Sequence, residues 1–259
     1  SVADVEAALK EGNVVIEGTW LPDGKALDGT NTLDIPANTT LKIEGDFDAS
    51  KGVISAYDSS NLVVDDKFTA PKTDINYNVE ADTMAVSDST DTIDGDLTIA
   101  TKLYFGGNVI LNGDVTVGDA KTESGVVDGK TANVTVTING TMTVYGDMKI
   151  AATVLSAESL YVTGTMSGKL TIGSTGTNGK EGYAEIGELT GDVDVKNGEL
   201  LVVEELSSSS VSGTEDGSIT FGEDADVTGT IASKFTNGAA TVSDVAGQTF
   251  TFDESSEEF

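Results

Sequence analysis

Gly95-Asp96-Leu97-Thr98-Ile99 lies within a stretch, from Thr92 to Ile150, in which one five-residue unit keeps returning. The unit consists of glycine, a small polar residue, an apolar residue, a polar residue and a second apolar residue. Further copies begin at Gly107, Gly113, Gly140 and Gly146, and looser copies begin at Gly45, Gly168, Gly191, Gly198 and Gly217. A phrase that returns this often indicates a repeat protein.

Each unit has the composition of a turn followed by a short strand. Glycine adopts a positive φ without steric penalty, and Asp or Asn can bond to its own backbone, so we expect a corner at this pair. The alternating apolar residues then predict a strand with one buried face. A single copy buries too few side chains to offset the entropy of ordering it, so the copies must stack.

The spacing of the copies favours one of two all-β folds. The principal copies are separated by about 18 to 28 residues, which is typical of one turn of a parallel β-solenoid. Closely spaced copies, such as those at Gly107 and Gly113, are then two successive faces of one turn. The alternative is a β-sandwich, which has no reason to repeat one phrase and usually has more aromatic residues than the 6% found here. We predict an all-β, single-stranded parallel β-solenoid (β-helix).

We expect a single continuous domain, which begins with a short capping helix in residues 1–12. Val2, Val5 and Leu9 fall on one helical face, and Ser1 is suited to cap the helix. Such a helix covers the apolar end of the first turn. Residues 13–248 form the predicted solenoid.

Residues 249–259 form a separate acidic tail. It contains Phe250, Phe252 and Phe259 among several carboxylates. We predict that these phenylalanines are assembly contacts, with the tail either adding a strand to a sheet edge or docking on an adjacent subunit.

Composition excludes several classes of partner. The chain has 44 Asp and Glu against 14 basic residues, and its formal net charge is -30. This charge repels nucleic-acid phosphates and anionic membranes, so we expect no nucleic-acid partner. The sequence has no long apolar run, so no transmembrane helix is expected. We interpret Ser1 as the start of a processed mature protein and predict an extracellular, cell-surface location.

The least regular stretch of sequence runs from Lys51 to Asp91. Strands are expected at residues 53–57, 61–64 and 75–79, and Pro71 is expected in a corner or in a loop that leaves the solenoid. We expect core or cap packing for Trp20, which is the only tryptophan.

The opening of the chain resembles a known family. A short helix is followed by a Val-Val-Ile strand at Val14 and by the phrase Leu-Asp-Ile-Pro-Ala-Asn-Thr-Thr-Leu-Lys-Ile, which begins at Leu33. This opening resembles the first turns of right-handed parallel β-helix proteins with pectate-lyase-like folds. The resemblance covers about 45 residues and implies a fold rather than an activity.

Catalysis is not expected. Resemblance to pectate lyases implies a basic arginine beside calcium-binding carboxylates, and resemblance to polygalacturonases implies paired aspartates with a histidine. The chain contains no arginine, histidine or cysteine. General acid–base catalysis by two carboxylates is the formal alternative. With 44 acidic residues some close pair is inevitable, so such a pair is weak evidence for catalysis.

Divalent cations are the expected cofactors, if any. Stacked corners would place Asp96, Asp114, Asp147 and Asp192 in a ladder of like charges, and we expect assembly to need calcium, another divalent ion or salt to neutralise acidic contacts. Alternatively, each of these aspartates only forms a turn and binds no ion. The candidate metal ligands form two groups: Asp88, Asp91, Asp94 and Asp96, and Glu223, Asp224 and Asp226.

Glycans are a further expected partner. Asn38, Asn133 and Asn139 each begin an Asn-X-Thr sequon, which predicts glycosylation in a secreted protein, although a threonine-rich sequence also produces sequons by chance.

The sequence therefore predicts a structural subunit. Its bias toward Thr, Ser, Gly and Val, together with the missing His, Cys and Arg, resembles surface-layer and archaeal sheath proteins. This resemblance implies self-association of acidic solenoids into a cell sheath, S-layer or extracellular filament. The alternatives are an adhesin or carbohydrate-binding β-helix and, less favoured, a polysaccharide lyase or hydrolase. The six tyrosines do not share one position of the repeat, which counts against a sugar-binding face.

Overall fold

The computed structural model describes residues 1–20, 27, 32–57, 59–130, 134–155, 159–228 and 245–253. Within these residues the chain is a parallel β-solenoid of about 10 turns with one short N-terminal helix. Neighbouring strands of successive turns are parallel, so the β-sandwich alternative is wrong.

The largest sheet follows the whole solenoid and contains 16 of the described strands. Its strands are β1 (Val14–Ile16), β3 (Thr40–Ile43), β4 (Phe47–Asp48), β6 (Asn61–Thr69), β7 (Asn78–Val86), β9 (Leu97–Phe105), β11 (Val115–Val117), β12 (Gly125–Gly129), β14 (Met142–Val144), β15 (Gly146–Met148), β17 (Ser159–Met166), β19 (Gly182–Leu189), β21 (Gly198–Leu206), β23 (Gly217–Phe221), β24 (Asp226–Val227) and β25 (Thr249–Thr251).

A second sheet of seven described strands covers another side of the solenoid, and a two-stranded sheet lies in the first turns. The strands of the second sheet are β8 (Thr92–Ile93), β10 (Val109–Leu111), β13 (Thr135–Ile138), β16 (Ala151–Val154), β18 (Leu170–Ile172), β20 (Val193–Val195) and β22 (Val211–Gly213). The small sheet pairs β2 (Thr32–Asp34) with β5 (Val53–Ser55). The copies at Gly107 and Gly113 precede β10 and β11, which lie in different sheets, so the prediction that close copies form two faces of one turn is confirmed for this pair. The copies at Gly140 and Gly146 lead into β14 and β15, which both belong to the largest sheet.

The long strands of the largest sheet pass through a bend. Between β17 and β19 the register shifts after Val162, and between β19 and β21 it shifts after Ile186. In other turns two separate strands take the place of one long strand. For example, β14 and β15 both pair with the long strand β17. The register shift divides each of these long strands into two paired segments.

Inward side chains stack in columns along the axis. One column holds a buried apolar residue from each turn, and every neighbouring pair lies in register. Its members are Trp20, Phe47, Phe68, Met84, Leu103, Val127, Met148, Met166, Leu189, Leu206 and Val227. The ring centroids of Trp20 and Phe47 are 5.1 Å apart, which confirms core packing for the tryptophan. A core this continuous makes each turn depend on its two neighbours.

Glycine begins the repeat mainly because successive turns approach closely. A Cβ atom on Gly95 would lie 2.0 Å from the Tyr77 carbonyl oxygen, and one on Gly113 would lie 2.4 Å from the Gly95 carbonyl oxygen. Neither glycine has a positive φ, whereas Gly146 does, at 142°. The predicted need for a positive φ therefore explains the glycine in some copies of the repeat. Close contact with the backbone of the neighbouring turn explains the glycine in others.

The helix α1 (Val2–Leu9) lies against β1 and β2 and covers the first turn. Ser1 caps it: its hydroxyl accepts a hydrogen bond from the Asp4 amide, and the Asp4 carboxylate accepts one from the Ser1 amino group. Val2 and Leu9 are buried. These features agree with the predicted capping helix. Among the described residues, no helix has the length and apolar character needed to cross a membrane.

The stretch from Lys51 to Asp91 is more regular than predicted. It contains β5, β6 and β7, and the last two extend well beyond the expected strands because each continues through the bend. Pro71 is buried, and its carbonyl accepts a hydrogen bond from the Thr90 hydroxyl of the next turn. This proline therefore lies in a packed corner.

Candidate functional site

A groove of about 540 Å³ lies at the bend of the largest sheet, across four successive turns. Side chains from β14, β17, β19 and β21 line it, together with a residue of the loop after β11. We call it the tyrosine groove and define it by Glu123, Tyr145, Tyr161, Glu185, Val203 and Glu204.

The loop that contributes to the groove is an insertion in one turn. The turn that begins at Asp114 is 27 residues long, whereas the preceding turn is 18. Residues 118–124 form an additional loop between β11 and β12. Asp119 organises this loop, since its carbonyl accepts a hydrogen bond from the Glu123 amide at 2.9 Å. Glu123 has a left-handed φ of 48° and lines the groove.

Three tyrosines follow a diagonal across three successive turns. Tyr161 lies in register with Thr143 on one side and with Glu185 on the other. Tyr145 is two residues beyond Thr143, and Tyr183 is two residues before Glu185. Tyr145, which directly follows β14, lines the groove together with Tyr161, and the Tyr183 ring contacts the Tyr161 ring, so the three rings lie close together. The tyrosines occupy different positions of the repeat, and the register between turns brings these three together.

Tyr183 supports both the neighbouring ring and the neighbouring carboxylate. Its ring centroid lies 5.9 Å from that of Tyr161 in a tilted arrangement, and its hydroxyl donates a hydrogen bond to Glu185 Oε2 at 3.2 Å. Partial burial, followed by the negative charge of Glu185, raises the pKa of Tyr183 to about 12. The phenol therefore stays protonated and remains a hydrogen-bond donor at neutral pH.

The tyrosine groove carries negative charge. Glu123, Glu185 and Glu204 line it, and none of the described lining residues is a lysine. Val203, which is 38% exposed, adds apolar surface beside the rings. The groove therefore combines aromatic faces with carboxylates and disfavours anionic ligands.

The first predicted group of metal ligands is engaged in separate contacts. Lys130 Nζ donates a hydrogen bond to Asp88 at 3.3 Å, and this contact lowers the pKa of the Asp88 carboxyl. Asp94 accepts a hydrogen bond from the Asn112 side chain at 2.7 Å. Asp91 and Asp96 are exposed on the two sides of β8.

The second predicted group, Glu223, Asp224 and Asp226, is exposed near the turn between β23 and β24. In the part of the chain that the structure describes, no cluster of three or more acidic residues has the arrangement of a metal site. Calcium or another divalent ion therefore stays a prediction without a defined site.

Corner aspartates link adjacent turns rather than forming one ladder. The Asp96 side chain accepts a hydrogen bond from the Asp114 amide, and the Asp114 side chain accepts one from the Thr141 amide. Asp147 accepts from the Thr165 amide at another position of the turn. Asp192 lies before β20 of the second sheet, where Ser209 donates to it. The predicted ladder of four is wrong because the repeat unit occurs on different sides of a turn.

The predicted sequons fall in different settings. Asn38 is exposed in a turn with a positive φ of 59°. Asn139 is half-buried, and its side-chain amide donates to Asn112 at 2.8 Å within a stack of polar side chains. Asn133 lies outside the described residues. Glycosylation at these positions stays a prediction.

The phenylalanines of the tail lie at the C-terminal end of the sheet. Phe250 is in β25, which pairs antiparallel with β23, and its ring packs edge-on against Phe221 with centroids 5.8 Å apart. Phe252 is buried against the core. Phe259 lies outside the described residues. A role of the three in assembly stays a prediction.

The fold defines a class, that of parallel β-solenoid proteins. No protein-family model matches the chain, and neither a curated protein nor a solved structure is significantly similar to it. The resemblance to pectate-lyase-like proteins therefore extends only to the β-helix fold.

The sequence reasoning missed Glu123, Glu185, Glu204 and the groove itself. The spacing of the copies does not single out the inserted loop, since Gly113 and Gly140 are 27 residues apart and Gly140 and Gly168 are 28 apart. The diagonal arrangement of the tyrosines could be recognised only from the register between strands of successive turns.

Proposed function

We propose that the chain is a non-catalytic structural subunit of an extracellular surface assembly, such as a sheath, S-layer or filament, formed by self-association of acidic solenoids. The observation that carries this proposal is the uninterrupted core column from Trp20 to Val227, which joins successive turns of the solenoid. The absence of histidine, cysteine and arginine from the sequence also favours a structural role.

The elements that lie against the first turn and against β23 favour lateral association. The helix α1 packs against β1 and β2, and the antiparallel strand β25 follows the parallel strand β23. A parallel turn of a second copy would have to displace these elements to continue the ladder. Contacts along the flanks need no such displacement.

Lateral contacts between acidic flanks require screening. With a net charge of -30, two copies repel at low ionic strength. We therefore propose that divalent cations or salt promote assembly.

Negative-stain microscopy with added calcium, with EDTA and with monovalent salt at matched ionic strength tests this function. Sheets, bundles or polymers support it, and their loss in EDTA alone identifies a cation-specific contact. Single rods in all three conditions, at every protein concentration, would refute self-assembly.

A second candidate function is carbohydrate binding, as in an adhesin. The tyrosine groove favours it, because aromatic faces beside carboxylates are suited to the apolar faces and hydroxyl groups of sugars. Binding of oligosaccharides that is lost in Tyr161→Ala supports this function, and no binding across neutral, cationic and anionic oligosaccharides contradicts it.

A further inference from the structure

We propose that the tyrosine groove binds a glycan that carries protonated amino groups. This inference rests on the carbohydrate-binding function proposed above and narrows its ligand to a cationic class.

The aromatic part of the groove provides two ring platforms. Tyr145, directly after β14, and Tyr161, in β17, both line it and lie on adjacent turns about 4.8 Å apart, two residues out of register. Tyr183 contacts the Tyr161 ring from the following turn. The sheet therefore fixes the rings before a ligand arrives, which lowers the entropy lost on binding.

The polar part of the groove selects positive charge. Glu185 lies in register with Tyr161, and the Tyr183 hydroxyl holds one of its oxygens. Glu123 and Glu204 add two more carboxylates to the lining. A uronate, sulfate or phosphate group would be repelled here, whereas an ammonium group gains both ion pairing and attraction to the tyrosine faces.

The arrangement favours an amino sugar polymer over a basic peptide. A single lysine side chain needs a carboxylate and at most one ring, whereas this groove is lined by two tyrosines and three carboxylates. A chain of amino sugars repeats a flat apolar face and an ammonium group along its length. Such a ligand presents several sugar faces and ammonium groups at once to the two rings and three carboxylates of the groove.

Isothermal titration calorimetry with a short β-1,4-linked glucosamine oligomer tests the proposal. We expect binding that weakens with salt, and Tyr161→Ala and Glu185→Gln each weaken it about tenfold, as expected for loss of a stacking or ion-pair contact. Tyr57→Ala is the matched control, since Tyr57 is 60% exposed and outside the groove lining. Circular dichroism checks that each variant keeps the fold.

Three comparison ligands make the result decisive. The fully N-acetylated oligomer and an oligogalacturonate of equal length should bind at least about tenfold more weakly, because one lacks the cation and the other carries negative charge. Equal binding of the N-acetylated oligomer would leave carbohydrate binding standing and overturn the cationic inference. Oligolysine that binds as tightly, without loss in Tyr161→Ala, would overturn it in favour of a basic peptide. No binding of the glucosamine oligomer would also overturn it, while microscopy of assemblies tests the structural role independently.

Discussion

The Asp114 backbone amide donates a hydrogen bond of 2.8 Å to Asp96 Oδ1, which lies one turn earlier in the solenoid. The same arrangement continues when the Thr141 amide donates to Asp114 Oδ1 at 2.9 Å. A side chain that begins one turn thus satisfies the backbone of the next. The repeat selects Asp here for its oxygen acceptor, while its charge is unfavourable beside another carboxylate.

Asp96→Asn should therefore be tolerated and Asp96→Ala should not. Asparagine keeps the acceptor oxygen and removes the repulsion from Asp114, so we expect an unchanged or higher Tm. Alanine leaves the Asp114 amide without its partner, and we expect a loss of about 1 kcal/mol in the free energy of unfolding. Asp224→Ala in an exposed turn is the control and should change little. Equal effects of the two Asp96 substitutions would show that the hydrogen bond does not matter.

The core column predicts a large loss from a single truncation. Met148 is fully buried between Val127 and Met166. Met148→Ala should lower the free energy of unfolding by about 2 to 5 kcal/mol because it leaves a cavity between turns. Denaturant unfolding measures this change. The neighbouring Lys149 is exposed, so Lys149→Ala should stay near the wild type, and a similar loss in both variants would contradict the assigned faces.

Close contact between turns predicts intolerance of any side chain at Gly113. Its Cβ would lie 2.4 Å from the Gly95 carbonyl oxygen, so the two turns would have to separate. We expect Gly113→Ala to destabilise the protein by about 2 kcal/mol or more, measured by thermal unfolding. Ser124→Ala, in the exposed inserted loop, is the control. A Tm for Gly113→Ala equal to that of wild type would refute the backbone packing described here.

The tyrosine groove predicts a late phenol titration. The pKa of Tyr183 is raised to about 12 from the ordinary value of 10.0 by burial and then by the Glu185 charge. Because the folded-state pKa lies above the unfolded one, the associated stabilisation is present below about pH 10 and is lost as the pH rises toward 12. The difference in phenolate absorbance between wild type and Tyr183→Phe measures this titration.

Glu185→Gln provides the matched test of the cause. This substitution removes the negative charge of Glu185 and leaves the burial of the phenol unchanged. The pKa of Tyr183 should therefore fall part of the way toward its ordinary value. A Tyr183 that titrates at its ordinary value of 10.0 would contradict the partial burial of this phenol.

The repeated five-residue unit was sufficient to predict the fold because each copy has the composition of a turn followed by a strand. The positions of Gly107 and Gly113 predicted two faces of one turn. Ser1 and Leu9 predicted the N-terminal capping helix. The bend was not visible, since β7 continues through it without glycine or proline. The groove was not visible either, because Tyr161 and Glu185 are brought together only by the register between turns.

Disulfide trapping in this cysteine-free chain tests the stacking of turns most directly. Thr116 and Thr143 lie in register on adjacent strands, at a spacing of about 4.8 Å that suits a disulfide. We expect the double variant Thr116→Cys/Thr143→Cys to oxidise rapidly to an intramolecular disulfide, while Thr116→Cys/Thr137→Cys, whose second site lies in the other sheet, stays reduced. Failure of the first pair to close, or equal closure of both pairs, would contradict the parallel solenoid on which the groove and the proposed functions depend.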